Sequence, residues 1–377
     1  MSTTYVRLDE VSDTLPSTFY YDRDHHDREL RQIWYRQWLL VGRSDVLAAV
    51  GDYRVVEVGD QSIIITRDGN HRLQAFHNTC RHRGSVLCQQ SRGTFRAGRI
   101  VCPYHAWAYS LEGELTATPW RLEGGGFDSA RYPLYKVAVG EWAGFIFVNL
   151  DENAPPFDDR TLGDTPALLA NWNLGETVTV HTMTLDLECN WKAFWDNFNE
   201  CLHCPGVHPE LCRIVPQFRE GLATGNVVRG DGDTSSPLIE GAVTWSVGGA
   251  TSLPWFEGLT EREQRAGATF GVFPPSGYVV THVDYARLVH MLPTGPECTR
   301  LEVSWLVPPK TVEHPGFSVE KLIELAETVV REDGRASEIN QKGLRSNRHM
   351  TGVLVPQEIF VREFHDWVRE QLADADG

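Results

Sequence analysis

Two short segments, each with one cysteine and one histidine, most constrain how this chain can fold. Cys80 and His82 are separated by one residue, and Cys102 and His105 by two, with nineteen residues between the pairs. Thiolates and neutral imidazoles are ligands of soft and borderline metal centres. If both pairs bind one centre, the intervening chain must fold back so that two loops face each other. The pattern therefore predicts a small metal-binding module.

Two kinds of site are compatible with two thiols and two imidazoles. One is a Cys₂His₂ zinc site, and the other is a [2Fe–2S] cluster with two histidines on one iron. Zinc fingers usually pair cysteine with cysteine and histidine with histidine, whereas each segment here is mixed. The surrounding CRHRG and CPYHAWAY sequences resemble the Rieske ferredoxin motif. The resemblance implies a Rieske cluster, which relays electrons at a higher potential than an all-cysteine cluster.

The sequence around these pairs is typical of an all-β module. Short runs rich in β-branched and aromatic residues alternate with turn residues between about 45 and 150. The predicted strands are 53–58, 62–67, 72–77, 99–102 and 143–150. Before this module, apolar residues at helical spacing predict a short amphipathic helix over 27–39.

A second region follows residues 151–170, which are rich in Asp and Pro and predict a linker. This region mixes the two kinds of periodicity, so it is predicted to contain both helices and strands. The predicted strands are 177–188 and 300–307, and the predicted helices are 191–203, 318–346 and 357–373.

Another group of candidate metal ligands lies at the end of the predicted helix 191–203. Glu200 and His203 are three residues apart and would share one face of that helix. Pro205-Gly206 would then end the helix and return His208 toward His203. Two histidines with one carboxylate form the facial triad of non-haem Fe(II) oxygenases, which leaves positions open for O₂.

The cysteines beside His203 leave two other interpretations open. Cys201 and Cys204 have the C-x-x-C spacing of a redox pair. Alternatively, these cysteines could bind zinc together with His203 and His208. With zinc in place of iron, the chain would be a zinc-stabilised binding protein without redox chemistry.

The net charge restricts the classes of partner. Acidic residues outnumber basic ones by 51 to 35, which gives a formal charge of −16. Binding to a nucleic-acid backbone or to anionic membranes needs clustered Lys and Arg, so neither is expected. The polar N-terminal segment without an apolar signal core, and the low cysteine content, predict a protein of the reducing cytoplasm.

Residues from about 18 to 370 resemble the α subunit of a Rieske non-haem iron oxygenase. The matching segments include FHNTCRHRGSVLC, VCPYHAWAYSLEG and NWKAFWDNFNECLHCPGVHPEL. The resemblance implies an α+β protein in which an all-β Rieske domain precedes a catalytic domain of helices on an antiparallel sheet, a START-like arrangement. It implies an N-terminal helical segment over 1–40, a Rieske domain over 41–155 and a catalytic domain over 156–377.

The resemblance also assigns roles to individual residues. Cys80, His82, Cys102 and His105 would bind the cluster, and His203, His208 and Asp333 would bind the mononuclear Fe(II). Glu332, next to Asp333, is the competing carboxylate. Glu200 would carry electrons between the subunits of a homotrimer or a trimer-based assembly. Because the chain has no flavin or nicotinamide motif, the electrons would come from NAD(P)H through a separate ferredoxin or flavin reductase.

The residues around Glu200 are similar to those of oxygenases that act on quaternary ammonium compounds. That branch oxidises betaines, carnitine or choline with O₂, often as an N-demethylation. Leu202 departs from the branch, in which a tyrosine usually precedes the first histidine. An aromatic-ring hydroxylase or O-demethylase is the alternative. Aromatic candidates for binding an ammonium group are Phe194, Trp195, Trp255, Phe256, Phe270, Tyr278 and Tyr285.

Overall fold

A computed structural model of the chain describes residues 3–119 and 126–373. Its internal contacts divide the chain into two units. The β unit is Trp34–Thr161, and the α+β unit combines Met1–Ile33 with Leu162–Gly377. Each predicted group of metal ligands lies within a single unit. In the described part of the chain, no helix is long and apolar enough to cross a membrane.

The β unit contains two antiparallel sheets. In the larger sheet, neighbouring strands follow the order Leu39–Arg43, Phe145–Asn149, Lys136–Trp142, Leu73–His77, Gln61–Arg67, Asp52–Val58 and Arg92–Thr94. The smaller sheet has the order Leu115–Ala117, Ala108–Ser110 and Arg99–Val101. All five predicted strands are present, with ends within two residues of the prediction.

The cysteine-bearing loops lie on a hydrophobic core that is formed by both sheets of the β unit. Ile64, Phe76 and Tyr109 are wholly buried in this core, together with Cys80 and Cys102. Such a core fixes the loops because its side chains are close-packed and have few alternative positions.

One glycine shows how closely the chain approaches this core. Gly113 has a φ of +91°, and a Cβ atom there would lie 2.4 Å from Cε1 of Phe76. A larger residue would need both a strained backbone and a displaced Phe76, so this turn requires glycine.

The α+β unit is built on one five-stranded antiparallel sheet. Its strands follow the order Val178–Leu187, Cys298–Val307, Ala286–Gly295, Gly277–Thr281 and Thr269–Phe273. The first two confirm the predicted strands, whereas the other three were not predicted. Two short strand pairs complete the unit, Thr3–Tyr5 with Val227–Arg229 and Ser12–Asp13 with Val353–Leu354.

The α+β unit also contains the following helices. Their bounds are Arg23–Glu29, Thr165–Leu168, Trp191–Phe198, Cys204–Val207, Pro209–Ile214, Pro216–Arg219, Glu261–Arg265, Pro309–Val312, Val319–Leu344 and Ile359–Ala373. The longest one begins at a capping side chain, because Ser318 Oγ accepts a hydrogen bond from the Lys321 amide. Its residues Leu322, Leu325, Ala326 and Val329 recur at helical spacing and are buried.

A buried ion pair joins the N-terminal segment, which carries Glu29, to the rest of this unit. Lys192 Nζ lies 2.7 and 2.8 Å from the two carboxylate oxygens of Glu29, and both side chains have no solvent exposure. Trp191 Nε1 also donates to this carboxylate, at 2.9 Å. Such a pair holds the two segments together, because a buried charge without its partner would strongly destabilise the folded protein.

Two predicted elements away from the candidate iron ligands are wrong in extent. The helix predicted over 27–39 starts earlier, at Arg23, because Asp22 caps its N-terminus, and after Glu29 it continues as a π-helical turn over Leu30–Trp34. The segment 151–170 is not a plain linker. It contains the helix Thr165–Leu168, which packs on the strand Thr269–Phe273.

Candidate metal centres

The two Cys/His loops of the β unit have matching backbone geometry. In the first loop, the Cys80 amide donates to the carbonyl of Ser85 and the Gly84 amide donates back to the Cys80 carbonyl, at 2.8 and 2.9 Å. In the second loop, Cys102 and Ala106 make the equivalent bonds, at 2.8 and 3.1 Å. Gly84 and Ala106 both have positive φ, of 74° and 55°. The chain therefore presents two similar turns, each with its cysteine at the base.

The ligand atoms of these loops are arranged with sulfur inside and nitrogen outside. Cys80 and Cys102 are 3% and 2% exposed, whereas His82 is exposed and His105 is half-buried. The two Nδ1 atoms lie 3.2 Å apart. Burial, with a further contribution from the neighbouring Cys102, raises the pKa of the Cys80 thiol. Paired buried thiols beneath paired outer imidazoles fit a [2Fe–2S] cluster with cysteine on one iron and histidine on the other.

A tyrosine supports the sulfur side of this site. The hydroxyl of Tyr109 lies 3.3 Å from Sγ of Cys80 and accepts a hydrogen bond from the Arg81 amide at 3.1 Å. If the sulfur is a cluster-bound thiolate, it can only accept, and the Tyr109 hydroxyl would then be the donor. Hydrogen bonds to cluster sulfurs help to set the reduction potential.

The α+β unit brings three predicted iron ligands to one point. Oδ1 of Asp333 lies 2.7 Å from Nε2 of His208 and 3.3 Å from Nε2 of His203. All three ligand atoms lie within 4.8 Å of one another. Cis ligands of one ion at bonds of about 2.1 Å would lie about 3 Å apart, so these atoms can share an ion with small adjustments.

Each histidine is oriented by a second carboxylate on its outer nitrogen. His203 Nδ1 is 2.5 Å from Oε1 of Glu200, and His208 Nδ1 is 2.7 Å from Oε2 of Glu332. A carboxylate on Nδ1 holds the proton there and leaves Nε2 as the metal-binding atom. The donor set is therefore two neutral imidazoles and one carboxylate, which suits non-haem iron.

The electrostatics of the triad favour positive charge. Burial lowers the pKa of His203, but hydrogen bonds to Asp333 and Glu200 outweigh burial and raise it to about 9. In Asp333, burial raises the pKa, but hydrogen bonds from His203 and His208 outweigh it and lower the pKa. His203 retains its proton and Asp333 retains its negative charge, so the site stabilises a cation, and a divalent ion would replace the imidazole proton that faces Asp333.

A cavity of about 470 Å³ lies beside the triad, and His203, His208 and Asp333 line it. This volume is typical of small-molecule sites, which have roughly 300–1,000 Å³. Nine of the described residues that line it have aromatic side chains. They are Trp195, Phe198, Phe218, Trp245, Phe270, Tyr278, Phe360, Phe364 and Trp367.

Comparison with known families decides the assignment. The model of the ring hydroxylating alpha subunit (catalytic domain) matches residues 174–374, and that of the Rieske [2Fe-2S] domain matches residues 37–123. The chain belongs to the ring-hydroxylating alpha subunit family of Rieske oxygenases. The predicted family, the α+β fold class and the two cofactors, a Rieske cluster and a mononuclear iron, are thereby confirmed.

Several curated relatives of this Rieske oxygenase are monooxygenases. A glycine betaine monooxygenase oxygenase subunit of Chromohalobacter salexigens is 30% identical over 95% of this chain and 86% of its own length. The chloroplastic choline monooxygenase of Beta vulgaris is 28% identical over 95% and 77%. The carnitine monooxygenase oxygenase subunit of Escherichia coli is 34% identical over 52% of each chain.

Solved structures share the fold of this Rieske oxygenase at low identity. The quaternary ammonium Rieske monooxygenase CntA, in complex with γ-butyrobetaine, is 22% identical with a TM-score of 0.70 and covers 96% of both chains. Naphthalene 1,2-dioxygenase from Rhodococcus sp. is 19% identical with a TM-score of 0.73 and covers 96% of this chain and 95% of its own. At these identities the similarity establishes the fold alone.

The backbone around His203 differs from the prediction. The helix predicted over 191–203 ends at Phe198, so Glu200 and His203 do not share a helix face. Glu200 instead folds back, because its carboxylate accepts hydrogen bonds from the amides of Leu202 and His203. Pro205-Gly206 does not end a helix but lies inside the short helix Cys204–Val207, which separates His203 from His208.

The cysteines beside His203 do not form a zinc site with the histidines. The sulfurs of Cys201 and Cys204 are joined to each other in a disulfide. The group that could hold a metal ion in the described residues of this unit consists of His203, His208 and Asp333.

Only some of the aromatic residues predicted to bind an ammonium group lie on the cavity wall. Trp195, Phe270 and Tyr278 line the cavity. The other four, Phe194, Trp255, Phe256 and Tyr285, are not among its lining residues. Three lining residues that sequence reasoning missed, Phe360, Phe364 and Trp367, lie on the helix Ile359–Ala373 at spacings of four and three residues. That periodic aromatic stripe was a usable signal.

Proposed function

We propose that this Rieske oxygenase is the terminal component of a multicomponent system that hydroxylates or N-demethylates a small quaternary ammonium compound. The observation that carries the proposal is the aromatic cavity beside the triad. Methylated ammonium groups bind to aromatic faces, with about 0.5–2 kcal/mol per contact. The glycine betaine, choline and carnitine monooxygenases among the relatives support the same substrate class.

In this proposal, His203, His208 and Asp333 hold the mononuclear iron, which supplies O₂ activation when it is bound. Glu200 and Glu332 keep the outer imidazole nitrogens protonated and so direct Nε2 to the ion. The proposed cluster ligands are Cys80, His82, Cys102 and His105.

The aromatic wall has the chemistry to position the substrate cation. Phe198 and Tyr278 are stacked with centroids 4.1 Å apart, and both face the cavity. Phe270 contacts Phe198 edge-on, with centroids 6.1 Å apart. Rings that are fixed by their neighbours bind a cation without first losing mobility, which favours affinity.

We propose Glu200 as the bridge for electron transfer between subunits. Its side chain is 13% exposed and hydrogen-bonded to His203. A CntA structure was described in terms of inter-subunit electron transfer, which supports transfer between subunits here. The proposed assembly of this chain is a homotrimer or trimer-based oligomer. The separate NAD(P)H-dependent ferredoxin or flavin reductase, the cytoplasmic location and the domain boundaries 1–40, 41–155 and 156–377 stay predictions.

A substrate panel tests the proposed function. The holoenzyme with a reductase should consume O₂ with glycine betaine, carnitine or choline, and should release formaldehyde where the reaction is an N-demethylation. Because an aromatic cavity also suits aromatic rings, aromatic acids and O-methyl aromatics form the second arm of the panel. Turnover confined to that arm would contradict the proposal and favour ring hydroxylation or O-demethylation.

Metal analysis and two variants test the division of roles. About three irons per chain are expected, two in the cluster and one in the triad. His203→Ala should lose the mononuclear iron but keep the Rieske absorption. Glu200→Gln, loaded with excess Fe(II) to offset weaker binding at His203, should carry both metal centres but lose turnover, whereas the exposed Glu210→Gln should behave as wild type. Normal turnover of Glu200→Gln would remove Glu200 from the proposed path.

A further inference from the structure

Among the described residues that line the cavity, one carries a guanidinium group. Arg287 lies on the central strand Ala286–Gly295 and is 3% exposed. Its Nη1 donates to the backbone carbonyl of Ala326 at 3.3 Å, and its buried Nε has no hydrogen-bond partner among the described residues. In the part of the chain that the structure describes, no carboxylate oxygen lies within 4 Å of this guanidinium.

An arginine in this state is unusual because burial of a charge is costly without an anion. Buried guanidinium groups are normally paired with carboxylates or phosphates, to which their planar donors bind in a two-pronged manner. The neutral carbonyl of Ala326 satisfies one donor and supplies no counter-charge. Since Arg287 lines the cavity, a bound ligand can supply the missing anion.

The position of Arg287 relative to the triad sets the size of such a ligand. Ala326 and Asp333 lie on the same helix, seven residues apart, which corresponds to about 10 Å along the helix axis. The charges of both Arg287 and Asp333 act on the buried Tyr278, which lines the cavity wall. A small molecule can therefore contact the guanidinium at one end and approach the triad with the other.

We infer that Arg287 binds the carboxylate of a zwitterionic substrate, so that the substrate class is a quaternary ammonium carboxylate. This inference rests on the proposed function and narrows it. The methylated ammonium group lies against the aromatic wall near the triad, and the carboxylate pairs with Arg287. A betaine has both groups, so it can bind to the aromatic wall and to Arg287 at the same time. Choline has a hydroxyl in place of the carboxylate and leaves the guanidinium unpaired.

The first test uses the unaltered holoenzyme with its reductase. Values of kcat/KM are measured from substrate-dependent O₂ uptake for glycine betaine, carnitine and choline, and formaldehyde is followed in parallel to detect N-demethylation. We expect a preference for a carboxylate-bearing substrate over choline of about 10- to 100-fold, which is the usual effect of a hydrogen bond to a charged group. Equal or better turnover of choline would overturn the role of Arg287 and leave the proposed function standing. Turnover of none of the three would refute both.

The second test changes the guanidinium. Arg287→Gln should lower the ratio of kcat/KM for betaine to that for choline by about 10- to 100-fold, mainly through KM for the betaine. Arg287→Lys keeps the charge and should recover part of the ratio. Arg300→Gln is the matched control, because Arg300 lies on the adjacent strand but is half-exposed and paired with Asp186.

Iron content, Rieske absorption and unfolding temperature are measured for each variant, so that a folding defect is recognised. If Arg287→Gln does not fold, Arg287→Lys and the wild-type selectivity carry the test. A folded Arg287→Gln that loses activity equally with betaine and choline would show that Arg287 has a structural role only.

Discussion

The carboxylate of Glu332 offers a sharp test of how the iron site is organised. Glu332 and Asp333 are neighbours on the helix Val319–Leu344, yet Asp333 faces both Nε2 atoms while Glu332 contacts only Nδ1 of His208. We therefore predict that Glu332→Gln retains the iron ligands but weakens iron binding. Glutamine can still accept the Nδ1 proton, so this variant removes the charge and preserves the approximate shape.

The size of the effect follows from the environment of this contact. Loss of a carboxylate behind a ligating histidine typically reduces metal affinity by 10- to 100-fold, or about 1.4–2.7 kcal/mol. His208 is 2% exposed, but Glu332 is 32% exposed, so solvent screens part of the interaction. The expected loss is therefore near the lower end, about 10-fold. Glu332→Ala, which removes the acceptor as well, should lose more.

The assay is competition for Fe(II) between the protein and a chelator, normalised to the Rieske absorption. Glu327→Gln is the matched control, because Glu327 lies on the same helix and pairs with the half-exposed Arg331. Its iron affinity should equal that of the wild type. The reasoning is refuted if Glu332→Gln and Glu327→Gln bind iron equally well. It is also refuted if Glu332→Gln loses the cluster absorption together with the iron.

Three further predictions concern the cluster and the stability of the fold. Tyr109→Phe removes a hydrogen bond of about 1–1.5 kcal/mol to a cluster sulfur. The reduction potential of the Rieske cluster should therefore fall by about 40–60 mV in a spectroscopic titration, and an unchanged potential would contradict this. Lys192→Met leaves the carboxylate of Glu29 buried without its cationic partner. The free energy of unfolding should fall by about 3–5 kcal/mol in denaturant titrations, and a loss below about 1 kcal/mol would be inconsistent with the ion pair. Burial lowers the pKa of His282 from 6.5 to about 3, so only the unfolded chain takes up this proton as the pH falls below about 6.5. His282→Gln should therefore lose about 2 kcal/mol less stability than wild type between pH 7 and pH 5, and parallel losses would exclude this role.

Elements with one exposed face were predictable from the sequence. The helix Val319–Leu344 was predicted as 318–346, because its apolar residues recur at helical spacing along one face. The strand Asp52–Val58 was predicted as 53–58 from its β-branched run. The strand Ala286–Gly295 was missed. Its first eight residues are all buried, so the alternation that marks a half-exposed strand is absent.

The proposed metal ligands illustrate the limit of local patterns. His203 and His208 were recognisable because they are close in sequence, although the helix assumed to carry the first one ends at Phe198. Asp333 lies 125 residues beyond His208 and came only from the family resemblance. No spacing could show that Glu332 faces the outer nitrogen of His208 while its neighbour faces the inner one. That distinction depends on how the long helix is rotated against the chain around the histidines.

The rotation of this helix links the two ends of the cavity. Asp333 and Glu332 contact the histidines, and the Ala326 carbonyl two turns earlier holds Arg287. Gly334 lets the helix lie close to the sheet, because a Cβ atom there would come within 2.8 Å of the Leu187 side chain. Since metal ligand and carboxylate-binding arginine are both positioned by one rigid helix, their separation is fixed before substrate binds. The cavity can therefore select a substrate by the distance between its ammonium group and its carboxylate.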